Sequence, residues 1–233
     1  MSKKVALVFG GSRGIGAACV DTLTNAGFDT AFTYVSAPPA GRKNGYRVEI
    51  SDAAAVAKVF ADVSADLGAA PSCVLANAGI NVPPGAMADF SADDFRKLVE
   101  INIVGAFNIL QHAAKNVADG GSIIALTTSL VRFAAPGLGP YSATKAAVEC
   151  MLRSMSKELA ARRVRVNGVA PGPVDTDLFR AGKNEEALKR SAAMSPFNRV
   201  GRPEEVAEVV GFLASEKASW ITGQIVQPNG GLV

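Results

Sequence analysis

The sequence has few of the residues from which disulfide frameworks and metal sites are built. Its three cysteines, Cys19, Cys73 and Cys150, are odd in number, widely spaced and set in apolar segments. That pattern is typical of reduced thiols rather than of a disulfide framework or a zinc site. The single histidine, His112, argues against a histidine-based metal site. We therefore expect no metal, and we predict a cytoplasmic location.

Long apolar runs and a strong net charge are also missing. The mean hydropathy is +0.20, but no apolar run approaches the roughly 20 residues that a membrane span needs. Glycines soon interrupt the apolar part of residues 1–10, so we do not interpret this stretch as a signal peptide. The net charge of +3 is too small and dispersed to indicate nucleic-acid binding. These absences favour one globular domain over residues 1–233, with no nucleic-acid or membrane partner.

Short apolar strands alternate with helical patterns along the whole chain, which is typical of a parallel α/β sheet. Strands are predicted over 4–9, 29–35, 46–50, 73–76, 122–128, 164–170 and 224–227. Helices are predicted after the glycine turn of residues 10–16 as far as 26, over 53–67 and 91–118, from 141, and over 204–214. Only residues 36–45 separate the second strand from the third. A crossover between parallel strands normally takes a dozen or more residues, usually with a helix. We therefore expect one peripheral helix to be missing.

A glycine-rich turn joins the first strand to the first helix and runs Gly10-Gly11-Ser12-Arg13-Gly14-Ile15-Gly16. Glycines let backbone amides approach a pyrophosphate, and the helix N-terminus adds positive potential. The turn therefore predicts a dinucleotide site, with a tight turn that binds nothing as the alternative. Its Gly-x-Ser-x-Gly pattern also matches a hydrolase nucleophile elbow. Such hydrolases need a histidine late in the chain, so we reject them and interpret His112 as structural or surface.

The end of the second strand lacks the carboxylate that an NAD site usually places there for the ribose hydroxyls. The strand ends Tyr34-Val35-Ser36, and neither Asp nor Glu occurs between Asp29 and Glu49. Basic residues surround this point instead: Arg13, Arg42, Lys43 and Arg47. They favour a 2′-phosphate, and hence NADP(H) over NAD(H), although the last three are also explained as solvated loop charges.

Polar residues and glycines follow the central strands, at the edge where ligands of open α/β sheets bind. Asn77-Ala78-Gly79 follows the fourth strand, Thr127-Thr128-Ser129 ends the fifth, and the segment 171–176 follows the sixth. The punctuated stretch 176–196 is interpreted as a mobile lid over the substrate. Asn102 falls in an apolar helical stretch, and a buried amide needs partners. It is therefore either a structural anchor or part of the site.

Tyr141 and Lys145 open the helix that follows the fifth strand. Positions four residues apart lie on one helix face, so the ammonium can sit beneath the phenol. A nearby cation favours the phenolate and brings its pKa closer to neutrality, which would make Tyr141 a general acid for carbonyl reduction. By spacing alone, a surface tyrosine and lysine are the commoner explanation of such a pair.

In order and identity, these motifs resemble the classical short-chain dehydrogenase/reductase family over essentially the whole chain. The stretch 169–179 and the ending Pro228-Asn229-Gly230-Gly231 are similar to its 3-oxoacyl reductase and NADPH-dependent aldehyde reductase-like branch. The resemblance implies a Rossmann-like, doubly wound parallel sheet of about seven strands in the order 3-2-1-4-5-6-7. It also implies hydride transfer between NADP(H) and a carbonyl or alcohol substrate, in a homotetramer or homodimer.

The resemblance further implies individual roles at the catalytic end of the site. Tyr141 would be the acid, Lys145 would hold the nicotinamide ribose, and Asn102 would anchor a water. The family's commonest spacing from Tyr141 puts the substrate-polarising hydroxyl on Thr128, whereas Ser129 lies one residue later. We favour Ser129, because a strand-to-loop junction can absorb one residue.

Cofactor contacts are implied at every strand end. The glycine turn would bind pyrophosphate, and Asn77 to Gly79 would line the adenosine side. The remaining contacts are expected from Tyr34, Ser36, Glu49, Ile50, Pro171, Gly172, Val174 and Thr176. The chain departs from the family at Phe9, where a threonine is usual, at Ala76, where an asparagine is usual, and in its missing helix. An NAD-dependent alcohol or sugar dehydrogenase and a catalytically idle dinucleotide sensor are the alternatives.

Overall fold

Seven parallel strands form one sheet in the order β3-β2-β1-β4-β5-β6-β7 in the computed structural model, which describes residues 3–233. The strands are β1 Val5–Phe9, β2 Asp29–Tyr34, β3 Gly45–Arg47, β4 Cys73–Ala76, β5 Ser122–Leu126, β6 Arg165–Val169 and β7 Ile225–Val226. The helices are α1 Gly14–Asn25, α2 Ala53–Leu67, α3 Ala92–Val99, α4 Ala106–Asn116, α5 Gly139–Glu158, α6 Asp177–Arg180, α7 Glu185–Ala193 and α8 Pro203–Ala214. The predicted fold class and strand order are confirmed.

Helices cover both faces of the sheet, which is why the central strands are continuous apolar runs. Every residue of β1, β4, β5 and β6 is buried. One core cluster joins the sheet to α2, α4 and α5, and the other joins it to α1 and α8. The carboxyl ends of the strands therefore meet at one edge of a rigid sheet.

The predicted absence of a helix between β2 and β3 is confirmed. Residues 35–44 contain only turns and bends, yet β2 and β3 pair in parallel from Phe32–Gly45 to Tyr34–Arg47. A loop rather than a helix therefore connects β2 to β3 on the side of the sheet next to α1. Arg42 ties this loop to α1 through an ion pair of 2.7 Å with Asp21.

The prediction of one continuous helix over 91–118 is wrong, because the helix is interrupted. The segment forms α3, a π-helical stretch Glu100–Gly105, and α4. Within the π-helical stretch, Asn102 is 1% exposed. Wide turns of this kind inside α-helices are frequent at functional sites, and this one carries the amide that the sequence had already singled out.

The predicted lid contains two short helices, α6 and α7. None of the residues 175–194 is buried, so the segment packs loosely on the body of the domain. Its ends are attached more firmly: Val174 forms a bridge with Gly201, and Ser195 Oγ donates to Gly230 O at 2.7 Å.

Within residues 3–233, no helix is both long and apolar enough to cross a membrane. The same residues contain no group of three or more His, Cys, Asp or Glu side chains that could hold a metal ion.

Candidate active site

The glycine turn is shaped by contacts that leave no room for side chains. Gly10 has a φ of +77°, and its N–H donates to Thr33 Oγ1 at 3.0 Å. A Cβ on Gly16 would lie 2.0 Å from Gly10 O, an oxygen that also accepts from Asn77 Nδ2 at 2.8 Å. Asn77 therefore ties the end of β4 to the turn. Thr33 was not predicted, because nothing in a strand pattern distinguishes this hydroxyl.

The N-terminus of α1 is free to bind an anion. Its N-cap residue, Arg13, makes no side-chain hydrogen bond to the first turn, and that turn holds no acidic residue. The first N–H groups of such a helix need an acceptor from elsewhere, and a phosphate is a favourable one. A cradle of glycines beside these N–H groups fits the pyrophosphate of a dinucleotide. Ser12 and Ile15 lie in the same turn and are partly exposed.

The residues predicted to contact the adenosine end of the cofactor differ in how exposed their side chains are. Ser36 and Glu49 are exposed, whereas Ile50 is 4% exposed. A Cβ on Gly105 would lie 2.6 Å from Ile50 Cγ1, so the isoleucine side chain is occupied by packing. Ile50 O also accepts from Asn108 Nδ2 at 2.9 Å, so only the backbone N–H of Ile50 remains for a cofactor contact. Tyr34 packs partly buried against the core on the α1 side.

Asn102 joins β4 to α5 through three hydrogen bonds. Its Oδ1 accepts from Ile80 N at 2.9 Å, and its Nδ2 donates to Ile80 O at 2.9 Å and to Thr144 Oγ1 at 3.3 Å. Thr144 in turn donates to Tyr141 O at 2.7 Å. Asn102 is thus a structural anchor of the turn that carries Tyr141. Thr144 was missed, although its place between Tyr141 and Lys145 was a usable indication.

Lys145 and Asn102 meet near Gly79. A Cβ on Gly79 would lie 3.0 Å from Asn102 Oδ1 and 3.3 Å from Lys145 Nζ. Lys145 is 7% exposed, and its Nζ donates to Leu126 O at 3.1 Å. An ammonium group therefore lies at the end of β5, among backbone and amide oxygens.

Burial governs the protonation of both helix residues. It raises the pKa of Tyr141 to about 12 and lowers the pKa of Lys145 to about 8. The prediction that Lys145 brings the phenol's pKa toward neutrality is therefore not met in this structure, because the loss of solvation by the phenolate outweighs any attraction. Tyr141 is protonated at neutral pH and can act as a proton donor.

The three hydroxyls at the end of β5 have different partners. Thr127 Oγ1 lies 3.1 Å from Glu149 Oε1. Ser129 is fully buried; its Oγ donates to Ala170 O at 2.7 Å and accepts from Asn229 Nδ2 at 3.1 Å. Thr128 Oγ1 only accepts, from Leu130 N at 3.3 Å, so its hydrogen has no partner within residues 3–233. The preference for Ser129 therefore disagrees with the geometry, because that hydroxyl is already engaged.

The turn after β6 brings the C-terminus and the lid to the same site. Ser129 N donates to Pro171 O at 2.9 Å, and a Cβ on Gly172 would lie 3.0 Å from Asn229 Cα. Thr176 reaches the glycine turn, since its Cγ2 lies 3.3 Å from the Cβ position of Gly14. Val174 is buried, 5% exposed, so its backbone is the part left for a cofactor. Asn229 and Glu149 were missed as site residues, because their partners are distant in sequence.

Known proteins share both the sequence and the fold. A family described as Enoyl-(Acyl carrier protein) reductase matches residues 10–233. The NADPH-dependent aldehyde reductase-like protein of Arabidopsis thaliana, named as chloroplastic, is 37% identical over 100% of this chain and 95% of its own length. A short-chain type dehydrogenase/reductase of Picea abies is 35% identical over 99% of this chain and 92% of its own.

A solved structure agrees over the full length. The blue fluorescent protein from a metagenomic library, in complex with NADPH, has a TM-score of 0.89 and 33% identity, and covers 99% of this chain and 98% of its own.

Proposed function

This chain belongs to the short-chain dehydrogenase/reductase family, and we propose that it reduces small carbonyl compounds with NADPH. The substrate class comprises aldehydes, ketones and 3-oxoacyl groups. One observation carries the proposal: a protonated, half-buried Tyr141 and a buried Lys145 lie one turn apart on α5, and Lys145 lies with Asn102 beside Gly79 at the carboxyl edge of the sheet. The bound cofactor supplies the hydride; the protein positions the reactants and moves the proton.

Tyr141 donates the proton. Burial keeps its phenol protonated at neutral pH, and a positioned donor lowers the barrier to forming the alcohol from the carbonyl. Lys145 binds the nicotinamide ribose and supplies positive charge beneath the phenol. The hydrogen bonds of Asn102 to Ile80 and Thr144 fix the spacing between β4 and α5, and Asn102 also anchors a water for the return of the proton.

Thr128 polarises the substrate carbonyl. Its hydrogen is not engaged within residues 3–233, and it lies between Leu126, whose carbonyl holds Lys145, and the buried Ser129. Ser129 holds the turn instead, through Ala170 and Asn229. A hydroxyl aimed at a carbonyl oxygen stabilises the charge that develops there.

The cofactor is NADP(H). The supporting residues are Arg13, exposed at the start of α1, and the end of β2, which has no carboxylate between Asp29 and Glu49. Relatives point the same way, since one is named as NADPH-dependent and one structure contains NADPH. The turn 10–16 would hold the pyrophosphate, and the segments 77–79 and 171–176 would line the rest of the cofactor.

Three further proposals concern the whole protein. The segment 176–196 is a lid, supported by its lack of buried residues before Ser195. The protein is a homotetramer, or alternatively a homodimer, supported by the symmetry habit of enzymes and by the exposed apolar side chains of Phe95 and Phe107. We retain a cytoplasmic location on the basis of three free cysteines.

The test is a panel of aldehydes, diketones and 3-oxoacyl thioesters, each offered with NADPH and with NADH. We expect turnover of at least one carbonyl class with NADPH, and much weaker turnover with NADH. Cofactor oxidation should be measured together with the alcohol product. Binding of NADPH with no turnover across the panel would favour the idle sensor, and oxidation of alcohols by NAD alone would favour the dehydrogenase.

A further inference from the structure

Arg47 lies on the same side of the sheet as α1. It is paired with Tyr34 in the parallel register of β3 and β2, and side chains of paired residues in neighbouring strands share a face. Tyr34 packs against the core formed with α1 and α8, whereas Tyr46, the preceding residue of β3, packs on the other side. The guanidinium of Arg47 is therefore on the face where Arg13 begins α1.

A hydrogen bond fixes Arg47 at the carboxyl end of β2. Its Nε donates to Val35 O at 3.0 Å, and the residue is exposed. Within residues 3–233, Arg47 forms no ion pair with a carboxylate. A guanidinium has five N–H donors, so the two terminal nitrogens remain available while Nε holds the arginine in place.

The other two cations of this region are placed differently. Arg42 is engaged with Asp21 of α1 at 2.7 Å. Lys43 is exposed and makes neither an ion pair nor a side-chain hydrogen bond within residues 3–233. Of the three basic residues near the third strand, Arg47 alone is held at the end of β2, and that is where an open α/β fold binds the adenosine ribose.

We propose that Arg47 binds the 2′-phosphate of NADP(H) and, with Arg13, sets the preference for NADPH over NADH. This inference rests on the NADP(H)-dependent function proposed above. A planar guanidinium can donate two parallel hydrogen bonds to a phosphate. The loop 35–44 contains no helix, so a residue of β3 can reach the end of β2.

The test measures binding rather than turnover. NADPH and NADH are titrated by fluorescence, and adenosine 2′,5′-bisphosphate and AMP by calorimetry, at fixed ionic strength, into the wild type, Arg47→Ala and Lys43→Ala. We expect Arg47→Ala to weaken NADPH and the bisphosphate by roughly 10- to 100-fold, as for a lost hydrogen bond to a charged group. Binding of NADH and AMP should stay within about twofold. Lys43→Ala removes the same charge from the loop that precedes β3 and should change NADPH affinity by less than about threefold, because an exposed charge that no hydrogen bond holds in place is screened.

Two further outcomes separate this inference from the proposed function. If the wild type prefers NADPH and Arg47→Ala preserves that preference, Arg47 is not the phosphate ligand, while the NADP(H) function stands. If Arg47→Ala weakens NADH and AMP as much as NADPH, the arginine only shapes the end of β2, and the inference fails. A wild type that binds both cofactors equally overturns the cofactor assignment and this inference together. Arg47→Lys keeps the charge but loses the planar fork, so it should restore only part of the preference.

Discussion

The two ends of the cofactor cleft are built in different ways. At the catalytic end, Asn102, Lys145 and Ser129 are buried polar groups, each hydrogen-bonded to the backbone of another segment, and the buried Thr144 accepts from the Asn102 side chain. At the adenosine end, residues 35–47 are mostly exposed and include one ion pair with α1. Proton transfer needs donors fixed to within a fraction of an ångström, whereas recognition of a phosphate needs mainly charge at the right place. The protein therefore holds its side chains rigidly at the end where proton transfer is expected. At the end where a phosphate must be recognised, it uses exposed side chains with few contacts.

Tyr141→Phe should produce the largest change, at the catalytic end. The substitution removes one oxygen from a ring that still fits, so folding and NADPH affinity should be preserved. Carbonyl reduction should fall by about 10²–10⁴-fold, the usual contribution of a proton donor. Single-turnover reduction measured beside NADPH fluorescence separates the two effects. Near-normal turnover would show that Tyr141 is not the donor.

Thr128→Val and Ser129→Ala should distinguish the hydroxyl that polarises the substrate from the hydroxyl that stabilises the turn. We expect Thr128→Val to lower turnover by about 10²-fold with little change in NADPH affinity, as for the loss of one donor to a developing charge. Ser129→Ala leaves Ala170 O and Asn229 Nδ2 without their partner, so it should mainly lower the unfolding free energy, by about 1–3 kcal/mol. Denaturant titration beside kinetics checks both. The reverse ranking in turnover would restore the preference for Ser129 that the sequence favoured.

The sequence predicted the backbone at the adenosine end of the cleft, but not the contacts of its basic side chains. The missing helix was predictable from the length of the segment 36–45. The sequence could not predict which of Arg42, Lys43 and Arg47 faces the adenosine ribose. The three residues are close in sequence and differ only in their contacts. The ion pair of Arg42 with Asp21 joins positions 21 residues apart, and no local pattern indicates it.

At the catalytic end, the sequence singled out the important side chains but not the contacts that hold them. Asn102 could be singled out because an amide is unusual in an apolar helical stretch, and Tyr141 and Lys145 because the order of the motifs around them is specific. Their supporting contacts could not be predicted: Asn229 bonds to Ser129 across 100 residues. The raised pKa of Tyr141 was missed for the same reason, since helix spacing shows which charge is near but not how deeply both groups are buried.

The pH dependence of stability should show what it costs to bury Lys145. Burial lowers its folded-state pKa from 10.5 to about 8. Below pH 8 both states hold the proton and the folded state bears the full cost; between 8 and 10.5 the unfolded state binds more protons, so stability rises with pH. Without cofactor, Lys145→Met should therefore be more stable than the wild type at pH 7, by up to about 3 kcal/mol. The gap should close toward pH 10.5.

Lys157→Met is the matched control, because Lys157 is exposed on the same helix. Its stability relative to the wild type should stay nearly constant over the same pH range in denaturant titrations. A Lys145→Met variant that is less stable than the wild type at pH 7 would show that the bond to Leu126 O outweighs the cost of burying the charge.

The smallest effect is expected at the loop that stands in place of the missing helix. The pair of Arg42 and Asp21 is partly exposed, with side-chain exposures of 26% and 61%, and such pairs contribute about 0.2–1 kcal/mol. A double-mutant cycle with Arg42→Ala and Asp21→Ala should give a coupling free energy in that range, and NADPH affinity should change by less than about threefold. If Arg42→Ala instead weakens NADPH as strongly as we expect of Arg47→Ala, the loop moves on binding and Arg42 leaves Asp21 for the phosphate. The adenosine end would then be a site assembled by the cofactor, in contrast to a catalytic end that is already in place.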